Sequence, residues 1–366
     1  MRAAVIRTPG ADFMIESVEL DEPRADEMVV RIAGVGLCHT DLFAREGNIM
    51  PLPAVFGHEG AGIVERVGAD VRKVEPGDHV IISFRSCGHC PSCRSGLPSY
   101  CRWMPALNYM GSRTDGSATI RAQGVAVAAN FFGQSSFATH ALTSERNVVK
   151  VARDLPLATL APLGCGVQTG AGAVMRALNC PNGSSLLVCG GGTVGLSAVM
   201  AAVVQGCSTV VVVEPHAARR ALALELGATH VLDPVEVSDL PSAVHAVIGV
   251  GVDFALDTTG RKDVLHESLA CLAPHGTLGL LGVAAHGAAI AGEINQLITY
   301  GRSIRGINIG DVDPDTFLPE LLALHHDGRF PFDRLIRTYP FSAINEAVSD
   351  QHDGRCIKAV LLMDPA

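Results

Sequence analysis

The rhythm of apolar and polar positions changes twice along the chain. Up to about residue 150, short apolar runs such as "MVVRIAGVG", "GAGIVERVG" and "DHVIIS" are separated by turn residues, as in "EPGD" and "GSRTDGS". Runs of this length, bounded by Gly, Pro and Asp, read as strands, so a mostly-β domain with irregular loops is expected. The segment "SSLLVCGGGTVGLSAVMAAVVQGCSTVVVVE" then reads as a strand, a glycine-rich turn, an apolar helix and a second strand made almost wholly of valine. Strands without polar alternation are buried on both faces, as in a parallel sheet covered by helices. "ARRALALELGATHVLD", "VDFALDTTG" and "VLHESLACLAPHGTLGLLGV" continue that alternation of helix and strand. From Ser303 onward the texture changes again, with a helix in "DTFLPELLALHHDG" and a last strand in "CIKAVLLM". The expected organisation is a mostly-β domain over residues 1–160 and 305–366, interrupted by a doubly wound α/β domain over 161–304.

Composition narrows the function. With 366 residues, two domains can each bury a core. A formal net charge of −9 and the lack of a long basic run argue against a nucleic-acid partner. The N-terminal "MRAAVIRTPGADF" has no apolar core of a secretory signal. The most apolar run, "AVMAAVVQGCSTVVVVE", is interrupted at Gln205, Gly206 and Ser208 before it reaches membrane-spanning length. A cytoplasmic protein without a membrane partner is expected.

Four of the eleven cysteines stand in "SCGHCPSCRSGLPSYC", at Cys87, Cys90, Cys93 and Cys101. A disulfide staple, a thiol redox pair and a metal site are the competing readings. A reducing compartment and an odd cysteine count disfavour the staple. A redox Cys-x-x-Cys pair belongs at a helix start, whereas Gly88, Pro91, Gly96 and Pro98 predict a loop. Four thiolates at this spacing can close the tetrahedral shell of a structural zinc, which makes His89 a loop residue and not a ligand.

Gly190, Gly192 and Gly195 fit G-x-G-x-x-G between a predicted strand and a predicted helix. The first permits a tight turn, the second admits a pyrophosphate, and the third lets helix and strand pack closely. Glu214 closes the second strand, where a carboxylate accepts hydrogen bonds from an adenosine ribose and repels a 2′-phosphate. NAD is therefore favoured over NADP, although Arg219 and Arg220 in "EPHAARR" keep the phosphorylated cofactor open.

Cys38 in "GVGLCHTDL", His58 in "VFGHEGAG" and Cys165 in "APLGCGVQTG" are ambiguous one by one, since lone cysteines and histidines are common core residues. Read with "GHEGAGIVERVG", "PGDHV", the four-cysteine loop, "GCGVQTGAGA" and "GGGTVG", they make the whole chain resemble the zinc-dependent alcohol dehydrogenases of the medium-chain dehydrogenase/reductase family. "PLPAVFGHEGAG", "GCGVQTGAGAV" and "GRFPFDRLIRTYPF" look like its aryl-alcohol (benzyl-alcohol) branch.

That resemblance implies a GroES-like catalytic domain and a Rossmann domain, two zinc ions per subunit, NAD, and a homodimer or homotetramer. It implies that Cys38, His58 and Cys165 hold a catalytic zinc with Glu59 close behind. It gives Thr40 the alcohol proton, His39 and Lys358 contacts to the cofactor pyrophosphate, and Thr169 a place beside the nicotinamide. Phe43 stands where many members carry a relay histidine; with Phe131, Phe132 and Val283 it lines the expected substrate pocket. The reaction implied is interconversion of a primary aryl or allylic alcohol and its aldehyde by hydride transfer. A thiol-dependent formaldehyde dehydrogenase on the same scaffold, or a binding protein that has lost catalysis, are the alternatives.

Overall fold

The computed structural model describes every residue except Asn48, His286, residues 290–293 and residues 364–366. The described residues form two compact units. The first comprises Met1–Cys165, Asp313–Glu320 and Asp333–Ala366, and the second Gly166–Val312 and Leu321–Phe332.

In the first unit, Val148–Val151, His79–Ile82, Gly60–Val67, Glu27–Gly36, Lys358–Leu362 and Ile336–Pro340 lie side by side in that order, with His140–Ser144 also paired to Glu27–Gly36. All neighbours are antiparallel except the last two strands. The final strand thus returns to the first domain, Val360 opposite Gly36, and brings residues some 320 positions apart in sequence onto one sheet.

The second unit carries six strands, all parallel, in the order His230–Leu232, Thr209–Val213, Ser185–Cys189, Val252–Asp257, Leu272–Leu280 and Ser303–Gly306. Numbered within this unit the order is 3-2-1-4-5-6, the doubly wound arrangement whose dinucleotide site lies where the strand order reverses. The valines of Thr209–Val213 are buried beyond the first residue, as their lack of alternation predicts. Leu187, Val211, Ala255 and Leu278 meet in its core.

The unit boundaries fall differently from 160 and 304. The turn Leu157–Gly164 packs on the first sheet, where Ser83 Oγ donates to Gly164 O at 2.7 Å, so Cys165 stays with the first unit. Residues 305–312 stay with the second, because Ser303–Gly306 is its sixth strand and a Cβ on Gly172 would meet Gly310 O at 2.6 Å. Among the described residues no helix is long and apolar enough to cross a membrane.

Candidate active site and metal centres

Cys38 follows the long strand Glu27–Gly36 and is the N-cap of the short helix His39–Arg45. Asp41, third in that helix, turns its carboxylate back so that Oδ2 accepts the Cys38 amide at 3.0 Å, which satisfies a donor the helix leaves open. Its Oδ1 accepts the Gly57 amide at 3.0 Å and His58 Nδ1 at 2.8 Å. Asp41 therefore ties two distant segments together and sets the proton of the His58 ring on Nδ1. His58 Nε2 is left with its lone pair, buried and without a hydrogen-bond partner. An orphaned buried imidazole nitrogen is costly unless something accepts that lone pair.

What surrounds it explains the orphan. Sγ of Cys38, Sγ of Cys165, a His58 ring nitrogen and a Glu59 carboxylate oxygen all lie within 4.8 Å of one another. The hydrogen bond from Cys165, and the His58 ring after it, hold the Cys38 thiol well below its ordinary range, while that same bond pushes Cys165 well up. Two sulfurs and an unpartnered imidazole nitrogen are the donor set of a zinc site with an open fourth position. These residues fit a zinc ion.

Glu59 is held from behind. Lys358 Nζ donates to Glu59 Oε2 at 2.8 Å, to Oε1 at 3.1 Å and to Leu37 O at 2.8 Å, with both side chains buried. Burial works against the ammonium, but the Glu59 carboxylate holds its pKa above the usual lysine value. Gly36 makes room for this pair: a Cβ there would come within 2.0 Å of Glu59 Oε2. The three donors of Lys358 are all taken beside the metal group, by Glu59 and Leu37 O.

Aromatic rings cover one side of His58. Phe132 stacks on it at 4.5 Å between centroids, Phe131 meets it edge-on at 5.5 Å, and Tyr109 stands edge-on to Phe132 at 5.3 Å. Phe132 adopts φ 52°, a left-handed conformation that costs a bulky residue about 1–3 kcal/mol. The Asn147 side chain on Phe132 O, at 3.0 Å, and Ser135 Oγ accepting the Phe131 amide at 2.9 Å hold it there. Tyr109 is half-buried, and burial, with Cys165 next, pushes its phenol up to about 12.

The other expected residues divide between the units. Thr40 Oγ1 lies 3.9 Å from Cys38 Sγ, His39 is exposed and Phe43 is half-buried, all on the helix that Cys38 caps. Thr169 belongs to helix Gly166–Gly172 and Val283, 45% exposed, follows strand Leu272–Leu280, both in the second unit.

The four-cysteine segment is not all loop. Pro91 opens a one-turn helix, Pro91–Arg94, with Cys90 as N-cap; proline suits that first position because its missing N–H would have no helical partner. Cys90 Sγ lies 3.5 Å from Cys93 Sγ, and Cys87 Sγ 3.9 Å from it. Sulfurs bound tetrahedrally to zinc stand about 3.8 Å apart. Amides of Cys90 and Cys87 donate to the sulfurs of Cys87 and Cys101, each at 3.3 Å. The Cys93 and Arg102 amides hold the Cys90 thiol down to about 6, whereas burial pushes Cys101 up to about 12. His89 turns its Nδ1 to Cys87 O at 2.8 Å.

In the second unit, Gly190, Gly192, Glu214, His216 and Arg219 line a cavity of about 630 Å³. Gly190 has φ 102°, and a Cβ on Gly195 would come within 1.8 Å of Gly190 O, whereas one on Gly192 would meet nothing. The outer glycines are thus required by packing, and Gly192 leaves open space at the start of helix Thr193–Gln205. Glu214 accepts the Gly191 amide at 2.7 Å and the His216 amide at 2.9 Å. Arg220 is committed to Asp233 at 2.8 Å and to Glu214 O.

Residues 193–326 match the family model of the zinc-binding dehydrogenases, and residues 24–153 that of the alcohol dehydrogenase GroES-like domain. The geraniol dehydrogenase of Castellaniella defragrans is 50% identical over 99% of this chain and 97% of its own length. The chain belongs to the zinc-binding alcohol dehydrogenases of the medium-chain dehydrogenase/reductase family. The crystal structure of benzyl alcohol dehydrogenase from Acinetobacter calcoaceticus superposes with a TM-score of 0.95 at 40% identity, covering 99% of both chains. An S-(hydroxymethyl)glutathione dehydrogenase of Komagataella pastoris is 35% identical over 99% of this chain and 97% of its own. As a member of this family the chain is an alcohol dehydrogenase that uses zinc.

Proposed function

We propose that this alcohol dehydrogenase interconverts primary allylic or benzylic alcohols and their aldehydes with NAD. The observation that carries the reading is the wall of Phe132, Phe131 and Tyr109 rings against His58, one of the donors grouped with Cys38 and Cys165. Flat unsaturated groups gain ring contact beyond apolar burial there, which a saturated chain does not. The geraniol and benzyl alcohol dehydrogenases it resembles are named for such alcohols.

Cys38, His58 and Cys165 would hold a zinc ion, which would supply a Lewis acid for an alcohol oxygen, and a nicotinamide cofactor would supply the hydride acceptor. Asp41 keeps Cys38 and His58 in position, and Lys358 keeps Glu59. Thr40, whose Oγ1 lies 3.9 Å from the Cys38 sulfur, supplies a hydroxyl that can accept and pass on the alcohol proton. Phe43 cannot titrate, so in this reading His39, exposed on the same helix, or water carries the proton onward. Glu214 at the cavity of the glycine motif favours NAD, with Gly190, Gly192, Gly195 and Arg219 around it.

A formaldehyde–thiol adduct is the weaker reading. Its carboxylates call for cations in the pocket, whereas the wall described is aromatic and Lys358 is spent on Glu59. The family resemblance implies a homodimer or homotetramer, which light scattering measures. The deciding experiment is a steady-state comparison of geraniol, benzyl alcohol, a saturated alcohol of equal length and S-hydroxymethylglutathione with NAD and NADP. Higher kcat/KM on the saturated alcohol or on the thiol adduct overturns the reading.

A further inference from the structure

Six of the eleven cysteines belong to the two groups able to hold metal. The remaining five are not alike. Cys189 and Cys271 sit in the apolar core of the second unit, and burial pushes both thiols up, Cys189 to about 12. Cys356 is also buried. Cys180 and Cys207, in contrast, stand on two turns that are hydrogen-bonded to each other, near enough for each thiol to act on the other's pKa.

The backbone brings the two turns together. Cys180 opens the turn after the π-helical stretch Ala173–Ala177, and Cys207 follows Gly206, whose left-handed conformation ends helix Thr193–Gln205. The Gly183 amide donates to Gly206 O at 2.8 Å, the Ser208 amide to Ser184 O at 2.9 Å, and Gln205 Nε2 to Cys180 O at 3.3 Å. Three hydrogen bonds thus strap the two cysteine-bearing turns together. Cys180 is 1% exposed, whereas Cys207 is partly open to solvent with Ser184 Oγ at 3.5 Å from its sulfur. The Cys180 thiol, and Ser184 after it, hold Cys207 down to about 7; the neighbouring Asp253 carboxylate acts the other way. One open thiol with a buried thiol behind it is the arrangement of an attacking and a resolving cysteine.

We propose that Cys180 and Cys207 are an oxidation-sensitive dithiol, a modification site separate from the metal groups, which hydroperoxides convert to an intramolecular disulfide. The Cys207 thiolate attacks one peroxide oxygen; the O–O bond breaks, the other oxygen leaves with a proton, and Cys207 becomes a sulfenic acid. The Cys180 sulfur then attacks the Cys207 sulfur, the S–S bond forms, the S–O bond breaks, and the hydroxyl leaves as water with the Cys180 proton. Two thiols lose two electrons, which the peroxide gains. With hydrogen peroxide the products are one disulfide and two waters.

The test treats the zinc-loaded full chain with stoichiometric hydrogen peroxide and maps its thiols after digestion with a protease that cuts after leucine, since Leu186, Leu187 and Leu196 separate Cys180, Cys189 and Cys207. The expected result is a peptide pair joined through Cys180 and Cys207, reversed by dithiothreitol, with zinc retained. In Cys180→Ser, a carbon nucleophile should trap sulfenic acid on Cys207, and Cys207→Ala should give neither product while melting at the parent temperature. Oxidation confined to the metal-group cysteines with zinc release, or a disulfide joining either residue to Cys189, overturns the proposal.

Discussion

Asp41 Oδ1 lies 2.8 Å from His58 Nδ1, and Asp41 Oδ2 holds the amide of Cys38. One carboxylate thus orients two of the three donors for a zinc ion. In Asp41→Asn, the side-chain amide turns a donor toward one of the N–H groups that Asp41 accepts. Zinc affinity should fall about 10- to 100-fold, as is usual for a lost outer partner of a metal histidine, and competition with a chromogenic chelator measures it. An unchanged affinity would deny Asp41 this role.

Lys358 and Glu59 form an ion pair with both side chains buried. Lys358→Met strands a buried carboxylate and should cost about 3–5 kcal/mol, whereas Lys358→Met with Glu59→Gln should recover part of it. Urea unfolding of the zinc-loaded variants supplies the comparison. Equal losses in the two would show that the charge on Glu59 is not what matters.

Removing a sulfur from each metal group should have opposite effects. Cys90→Ser should drop one zinc per chain and lower the thermal midpoint, because four thiolates leave no open position. Cys165→Ser should keep the fold and lose turnover. Metal analysis together with calorimetry distinguishes the two, and a stable, inactive Cys90→Ser would reverse the assignment.

Tyr109 stands edge-on to Phe132, which stacks on His58. Tyr109→Leu keeps the apolar volume but loses a ring, so kcat/KM for benzyl alcohol should fall roughly two- to tenfold relative to a saturated alcohol. Tyr109→Phe should stay near the parent. A uniform drop on both alcohols would mean that Tyr109 only supports the fold.

Asp350 accepts from Arg355 Nε at 2.7 Å and from Tyr339 OH at 2.8 Å, and these bonds hold its carboxyl below the ordinary aspartate value. A carboxyl whose folded pKa is depressed binds its proton more readily when unfolded. Its stabilisation is therefore complete above the unfolded value of about 3.9 and is lost as pH falls through the folded one. Asp350→Asn should be the less stable protein at pH 7, with the gap to the parent closing below about pH 4. Urea midpoints across pH test this, and a gap independent of pH would contradict it.

The sequence by itself determined what local chemistry and period can encode. The valine-rich strand Thr209–Val213, the glycines of the turn after Ser185–Cys189 and the Cys87, Cys90, Cys93 and Cys101 group are all contiguous, and each carries its reason in its own spacing. Even there one detail escaped: Pro91 starts a helical turn, because proline only breaks a helix that already has turns before it.

Tertiary structure decided the rest, because the deciding contacts join residues far apart in the chain. Cys38, His58 and Cys165 had pointed to a metal only through resemblance, and folding puts them within 4.8 Å of each other. Asp41 left a faint trace as the third residue after a helix cap, but nothing local says that it also holds His58. Tyr109 gave no signal, since an isolated tyrosine in a loop has no periodicity to read. Lys358 carried only a cofactor contact implied by resemblance. The pairing of the last strand with Glu27–Gly36 buries it against Glu59, and a lysine's partner depends on which strand it lands beside.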